Sequence, residues 1–273
     1  MQKSIAKAVS CHGIGIHSGK KVEISLKPAP IGHGIEVVRT DLGQSVQLYP
    51  DVFDGANNQT CIKNNNKAFL KTVEHLMAAV FSKQIDNMII EANSEEMPAV
   101  DGSAMSYLEL LKKAGIVEQE GPDQPALRLN KMLLEKGKED TFIAAVPADE
   151  FKISLAVEYR LPVGLQVWSV VINEENFHKE VAPARTFGWK EDLDKMHKNG
   201  LGLGVKVNEN AIGIAENKGY SCPLRFADEI VRHKVLDLVG DLAGLRKNIK
   251  AHIIGYKTNH RLNIQFMKKL AKI

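Results

Sequence analysis

Two spacings of apolar residues recur along the chain. In KVEISLKP (21–28), GIEVVRT (34–40), NMIIEA (87–92), TFIAAVP (141–147), FKISLAVEY (151–159), LQVWSVVIN (165–173) and AHIIGYK (251–257), apolar positions alternate with polar ones or form short runs, which predicts strands. Elsewhere they return every three or four residues. That spacing predicts helices from about Thr72 to Phe81, in AMSYLELLKKAG (104–115), in EIVRHKVLDLVGDLAG (229–244) and in LNIQFMKKLAKI (262–273). The segment EQEGPDQPA, Glu118 to Ala126, breaks both patterns with two prolines and reads as a linker. On each side of it the order is the same: strands, then helix, strand, helix. We read the chain as a duplicated α+β unit, with domains at 1–120 and 126–273. The asparagine-rich NNNK near Asn64 reads as a turn between strands.

Two of the helices carry chemistry on the side away from their apolar face. On a wheel at ~100° per residue, Val231, Val235, Leu238, Val239 and Leu242 form one face of the 229–244 helix. His233, Asp237 and Asp241 lie roughly opposite, beside Gly240 and Gly244. A glycine inside a helix costs ~1 kcal/mol against alanine, so two of them point to something approaching closely. In KTVEHLMAAVF, Val73, Leu76, Met77 and Val80 form the apolar face. His75 points away from it beside Ala78 and Ala79, and Glu74 stands at the border. Placed back to back between two sheets, the helices would bring His75, His233 and Asp237 together. Two neutral imidazoles and a carboxylate suit Zn²⁺ and leave a fourth position open for water, whose pKa the ion lowers to ~7. Glu74 would then be free to act as a base. A His-x-x-x-Asp pair on a helix is also a common solvated ion pair, and the residues alone leave both readings open.

Composition adds limits. Of 273 residues, 44% are hydrophobic and 25% charged, ordinary for a globular chain. A net charge of +3 is too small to argue for nucleic acid, though it would not repel an anionic ligand. No run approaches the ~20 apolar residues of a membrane span, and no signal-peptide core opens the sequence. Cys11, Cys61 and Cys222 stand far apart with no CxxC spacing, which predicts neither disulfides nor a thiolate metal site and points to the cytoplasm.

Other motifs carry less. GIGIHSGKK (13–21) lacks the glycines of a Walker or dinucleotide loop and reads as a glycine-rich strand or turn, with His17 structural. Ser103 in DGSAMSYLELLKK reads as a helix N-cap. PARTFG (183–188) reads as a loop whose threonine can donate a hydrogen bond, and His260 alone would be an isolated histidine.

The motifs as a set resemble a known family. GIGIHSGKKV, PAP, RTD, TVEHLMAA, IDN, VDGSA, ARTFG, LRFADE, VRHKVLDLVGDL and HRLN run nearly end to end, and together they resemble the UDP-3-O-acyl-N-acetylglucosamine deacetylases of lipid A biosynthesis. TVEHLMAA followed at this separation by VRHKVLDLVGD is a specific combination. The resemblance implies two similar α+β domains, each a β-sheet layered with helices, with the helix layers facing each other in a β-α-α-β sandwich. It implies metal-dependent hydrolysis of the sugar N-acetyl group to acetate and a free amine, the committed step toward lipid A. The ion would be Zn²⁺, one per chain, with Fe²⁺ as an alternative in the cell. The implied partner is the nucleotide-linked acyl sugar; neither nucleic acid, a membrane segment nor an obligate protein partner is implied.

Carried over position by position, His75, His233 and Asp237 match metal ligands, and Glu74 matches the general base. His260 matches a protonated histidine supporting the oxyanion or leaving amine, and Asp241 the carboxylate that orients it. Thr186 matches a hydroxyl stabilising the tetrahedral intermediate. Lys234 and Phe187 match substrate-contacting positions. An insert around 188–214 is expected to enclose an acyl chain with Leu193, Leu201, Leu203, Val205, Val207 and Ile212. The chain departs from the family pattern at Val205–Lys206, at YSCP before Leu224–Arg225, and at TNH before the last helix, which bears on acyl preference rather than on the chemistry. Two rivals remain: a metal hydrolase with another acylated substrate, and a non-catalytic nucleotide-sugar-binding protein, against which the intact Glu74, His75, His233, Asp237 and His260 argue.

Overall fold

The computed structural model describes residues 1–56, 58–122, 125–216 and 218–273. Asp123 and Gln124, within the expected linker, lie outside the described residues.

The strands in KVEISLKP and FKISLAVEY bury every second side chain, Val22, Ile24 and Leu26 in one and Ile153, Leu155 and Val157 in the other. Each such burial is worth ~1.5–3 kcal/mol, and the period of two gives each sheet one face toward the interior. In the N-terminal half the strands lie in the order Val9–Ile14, Lys21–Pro28, Met88–Ala92, Ile35–Arg39, Gln44–Gln47. In the C-terminal half the order is Leu133–Lys136, Phe142–Pro147, Ile249–Tyr256, Lys152–Glu158, Leu165–Val171. These are the same topology. In each half the last of these five strands along the chain enters the middle of the sheet, antiparallel to the second strand and parallel to the third. The duplication read from element order is therefore present in the sheets.

The helices fill the space between the sheets. α1 (Glu74–Ser82) and α2 (Met105–Ala114) belong to the N-terminal half, with α2 on the strand Val9–Ile14. A short helical turn, α3 (Glu174–Asn176), and α4 (Lys190–Lys198) precede α5 (Glu229–Leu242), which packs on Lys152–Glu158, on Leu165–Val171 and above all on α1; α6 (His260–Leu270) packs on α5. The result is the expected α+β order of sheet, helices, helices, sheet. Every residue of α1 except Phe81 is buried, as a helix held between layers must be.

Some boundaries differ from expectation, each for a local reason. α1 starts at Glu74 rather than Thr72, because Thr72 has φ +59, outside the helical region. α6 starts at His260 rather than Leu262, because the Asn259 side chain caps it by accepting from Leu262 N–H at 3.0 Å. α2 has Ala104 at its N-cap; Ser103 is one residue upstream, where its hydroxyl still accepts from Met105 N–H at 3.2 Å. Gly244 falls in a 3-10 turn, Ala243–Leu245, after α5 rather than inside it. Phe187, expected in a loop, begins the strand Phe187–Trp189.

Each half also carries a small three-stranded sheet just before its central helix. Phe53–Ala56, Gln59–Asn64 and Lys67–Lys71 form one, with the asparagine turn between the last two. Phe187–Trp189, Ile212–Ala215 and Gly219–Tyr220 form the other, with α4 as its companion.

Candidate metal centre and active site

The meeting of α1 and α5 depends on one glycine. A Cβ at Gly240 would collide with the carbonyl of Glu74, so glycine is what lets the first turn of α1 rest on α5. The close approach expected at this position is thus found there.

That contact sets His75 beside His233 and Asp237. Asp237 Oδ1 lies 3.3 Å from His233 Nε2 and 3.6 Å from His75 Nε2. The two imidazoles meet edge to face with centroids 5.1 Å apart. One ligand atom from each of the three buried residues lies within 4.8 Å of the other two. A tetrahedral ion with bonds of ~2.1 Å needs ligand atoms about 3.4 Å apart, so this donor set fits a single divalent ion. His233 Nδ1 donates to the Ala184 carbonyl at 3.1 Å, which fixes the tautomer and turns the Nε2 lone pair to the site. Burial drives His233 down to about 4, keeping its ring in the neutral form that metals bind. For Asp237, burial opposes the charge, but His233 and Lys234 outweigh it and hold the carboxyl well below its usual range. Lys234 Nζ sits 2.6 Å from Asp237 Oδ2, leaving Oδ1 to the imidazoles.

Two further groups flank the cluster with opposite tendencies. Glu74, buried at the start of α1, accepts a hydrogen bond from Thr60 N–H at 3.1 Å on Oε2. Burial raises its pKa, and His260 and His75 temper the rise. His260 Nδ1 lies 3.0 Å from Asp241 Oδ2. Burial disfavours its charge, but the Asp241 carboxylate, with Asp237 and Glu74 behind it, lifts His260 to about 9. A basic carboxylate and a charged imidazole thus face one space, a pairing suited to acid–base work.

That space is a cavity of about 620 Å³. Glu74, His75, His233, Asp237 and His260 line it together with Thr186, Phe187 and Lys234. Asp241 stands behind His260, fully buried. From the insert, Leu193, Leu201, Val205, Val207 and Ile212 reach the wall. Leu203 does not: it is 53% exposed, and its N–H donates to the His17 carbonyl instead. Thr186 is held by its N–H to the Gly102 carbonyl at 2.7 Å and by its carbonyl to Ile212 N–H at 2.8 Å. The preceding Arg185 binds the buried Glu229 at the start of α5 through its backbone N–H and two guanidinium nitrogens, fixing the loop to the helix. Phe187 meets the His233 ring edge to face at 6.0 Å.

Several residues of this site escaped the sequence reading. Thr60 and Asn263 both bind Asp241. Buried Glu96 accepts from the N–H groups of His17 and Ser18, both at 2.8 Å, and so holds the glycine-rich turn. His17, read as structural, sits on that turn and also lines the cavity. Tyr159, Trp189 and Met196 are further wall residues. No spacing marks them, because each reaches the site through a long-range contact.

The chain is similar to known proteins along nearly its whole length. A family model described as LpxC: UDP-3-O-acyl N-acetylglycosamine deacetylase matches residues 2–272. The UDP-3-O-acyl-N-acetylglucosamine deacetylase of Chlamydia pneumoniae is 38% identical over 274 residues, covering 98% of this chain and 96% of the relative. Enzymes of the same description from Myxococcus xanthus (strain DK1622) and Trichormus variabilis (strain ATCC 29413 / PCC 7937) are each 36% identical across 98% of this chain, covering 86% and 98% of their own lengths.

Proposed function

Because the chain belongs to the UDP-3-O-acyl N-acetylglycosamine deacetylase family, we propose that it hydrolyses the N-acetyl group of a UDP-3-O-acyl-N-acetylglucosamine to acetate and the free amine, the committed step of lipid A biosynthesis. The observation that carries this reading is the cluster His75, His233 and Asp237 in one cavity with Glu74 and His260. Binding alone needs no base, and an ion pair alone needs no second imidazole.

His75, His233 and Asp237 would hold the ion. We assign it as Zn²⁺, with Fe²⁺ as the alternative, since imidazole nitrogen and carboxylate oxygen suit both. When bound, the ion polarises the amide carbonyl and makes a water acidic enough to attack near neutral pH. Glu74 takes the proton from the attacking water. The Thr186 hydroxyl donates to the oxygen that becomes negative. His260, with Nδ1–H held by Asp241, gives its Nε2 proton to the departing nitrogen, so the amine leaves neutral. Lys234 and Phe187 contact the substrate beside this centre.

We assign the insert around 188–214 to the acyl chain, since Leu193, Leu201, Val205, Val207 and Ile212 line the cavity. Residues 1–120 and 126–273 form the two domains: the strand Gln2–Ile5 closes the first by pairing with Ile116–Gln119, and Leu127–Arg128 joins the second sheet. Free Cys11, Cys61 and Cys222 suit a reducing compartment, and we place the reaction in the cytoplasm. No helix among the described residues is long and apolar enough to cross a membrane.

The test is amine release from UDP-3-O-acyl-N-acetylglucosamine, measured against the same sugar lacking UDP or the acyl chain. The complete substrate should react with the highest kcat/KM. Equal rates on all three would return the reading of a hydrolase for another substrate, and binding without turnover would return a non-catalytic protein.

A further inference from the structure

Thr60 lies on the strand Gln59–Asn64 of the N-terminal half, yet its side chain reaches two residues of the C-terminal half. It is fully buried. Its backbone N–H donates to Glu74 Oε2 at 3.1 Å. Its hydroxyl has one proton and two neighbours, a very close Asp241 Oδ1 and His260 Nδ1 at 3.2 Å. A carboxylate oxygen only accepts, so the hydroxyl proton goes to Asp241. The hydroxyl oxygen is then free to accept from His260 Nδ1–H, which also faces Asp241 Oδ2 at 3.0 Å and Oδ1 at 3.2 Å. Nδ1–H therefore lies in a cradle of three oxygens, one from Thr60 and two from Asp241, and Nε2 is turned inward, 3.8 Å from Asp237 Oδ2.

The surrounding backbone holds Thr60 to this task. On the neighbouring strand, a Cβ at Gly55 would collide with the His260 carbonyl, so the hairpin lies directly on the first turn of α6. Asn263, one turn along α6, donates to Asp241 Oδ2 at 2.8 Å and fixes the other side of that carboxylate.

We propose that Thr60 is a positioning residue for the hydrolysis, tying the base arm, Glu74, to the acid arm, Asp241–His260, across the junction of the two halves. The inference rests on the function proposed above. The hydroxyl aims the His260 ring at the leaving nitrogen, while the backbone N–H holds the Glu74 carboxylate. Valine matches threonine in shape and removes only the hydroxyl.

The experiment measures kcat, KM and metal content for Thr60→Val and Thr60→Ser, each alone and in a His260→Ala background. Thr60→Val should lose about 10–100-fold in kcat, the scale of a small misplacement in a catalytic group, with KM and metal content unchanged. Thr60→Ser, which keeps the hydroxyl, should recover most of that loss. Combined with His260→Ala, Thr60→Val should cost little more, because the group it aims is gone. Turnover of Thr60→Val within twofold of wild type would overturn the proposal. So would an equal loss in Thr60→Ser, or an undiminished loss in the His260→Ala background. If the valine variant does not fold, Thr60→Ala carries the same expectations and decides the matter. An inactive wild-type chain would instead remove the proposed function itself.

Discussion

Glu74 and His75 are consecutive, and the helix turns them ~100° apart, so both reach one cavity while only the histidine faces His233 and Asp237. Glu74→Gln should therefore keep the metal and the fold but lose ~10²–10⁴ in kcat, the usual contribution of a positioned base, as measured by steady-state kinetics beside metal analysis. The two flanking groups also set a pH dependence. In the proposed mechanism, activity needs Glu74 ionised and His260 protonated. Burial raises Glu74, so the acidic limb should lie above the ordinary carboxylate range. Asp241 outweighs burial at His260, so activity should fall again as pH rises through about 9. A kcat/KM profile of wild type should show both limbs, and His260→Ala should lack the alkaline one. The helical residues of this site were legible in the sequence because a period of 3.6 puts His233, Asp237 and Asp241 on one line. Thr60 was not, since alternation in a strand tells inside from outside and nothing about a partner in the other half.

α1 and α5 work as a pair, and Gly240 sets their spacing. Gly240→Ala would force the Glu74 backbone away from α5, moving His75 from His233 and Asp237. It should destabilise by about 1–3 kcal/mol in denaturant unfolding, as overpacking does, and should weaken metal retention in the same preparation. The insert makes a separate prediction. Leu193 and Leu201 line the cavity, so Leu201→Asp should lower kcat/KM on the long-chain substrate by about 10-fold or more, consistent with ~1.5–3 kcal/mol for a buried leucine. Its effect on a substrate without the acyl chain should be small, which a paired assay reads directly. Elements with several apolar residues were predicted nearly to the residue, whereas α4 was missed: KEDLDKMHK offers only Leu193 and Met196 among charged and polar residues, and none of its residues is buried. Its neighbour Leu203 looked like wall material by composition but faces solvent, because the turn Gly200–Gly204 docks by backbone hydrogen bonds to Ile16 and His17.

At the scale of the whole molecule, the repeated sheet order explains why the site lies where it does. Each half sends its central helix to the junction, one bringing Glu74 and His75 and the other His233, Asp237 and Asp241. The repeat of element types was visible in the sequence. The strand order was not, because the last strand of each five-stranded order enters the sheet centre through pairings far apart in the chain. A single ion would join residues from both halves, and turnover should depend on it. The decisive measurement is a metal titration of chelator-stripped protein, following acetate release from the UDP-acyl-sugar. Activity should rise from near zero and level off at about one equivalent of Zn²⁺ per chain, the stoichiometry of a three-ligand site with one open position. His75→Ala should show no such rise. Full turnover by metal-free wild-type protein, or an unchanged titration in His75→Ala, would contradict the assignment.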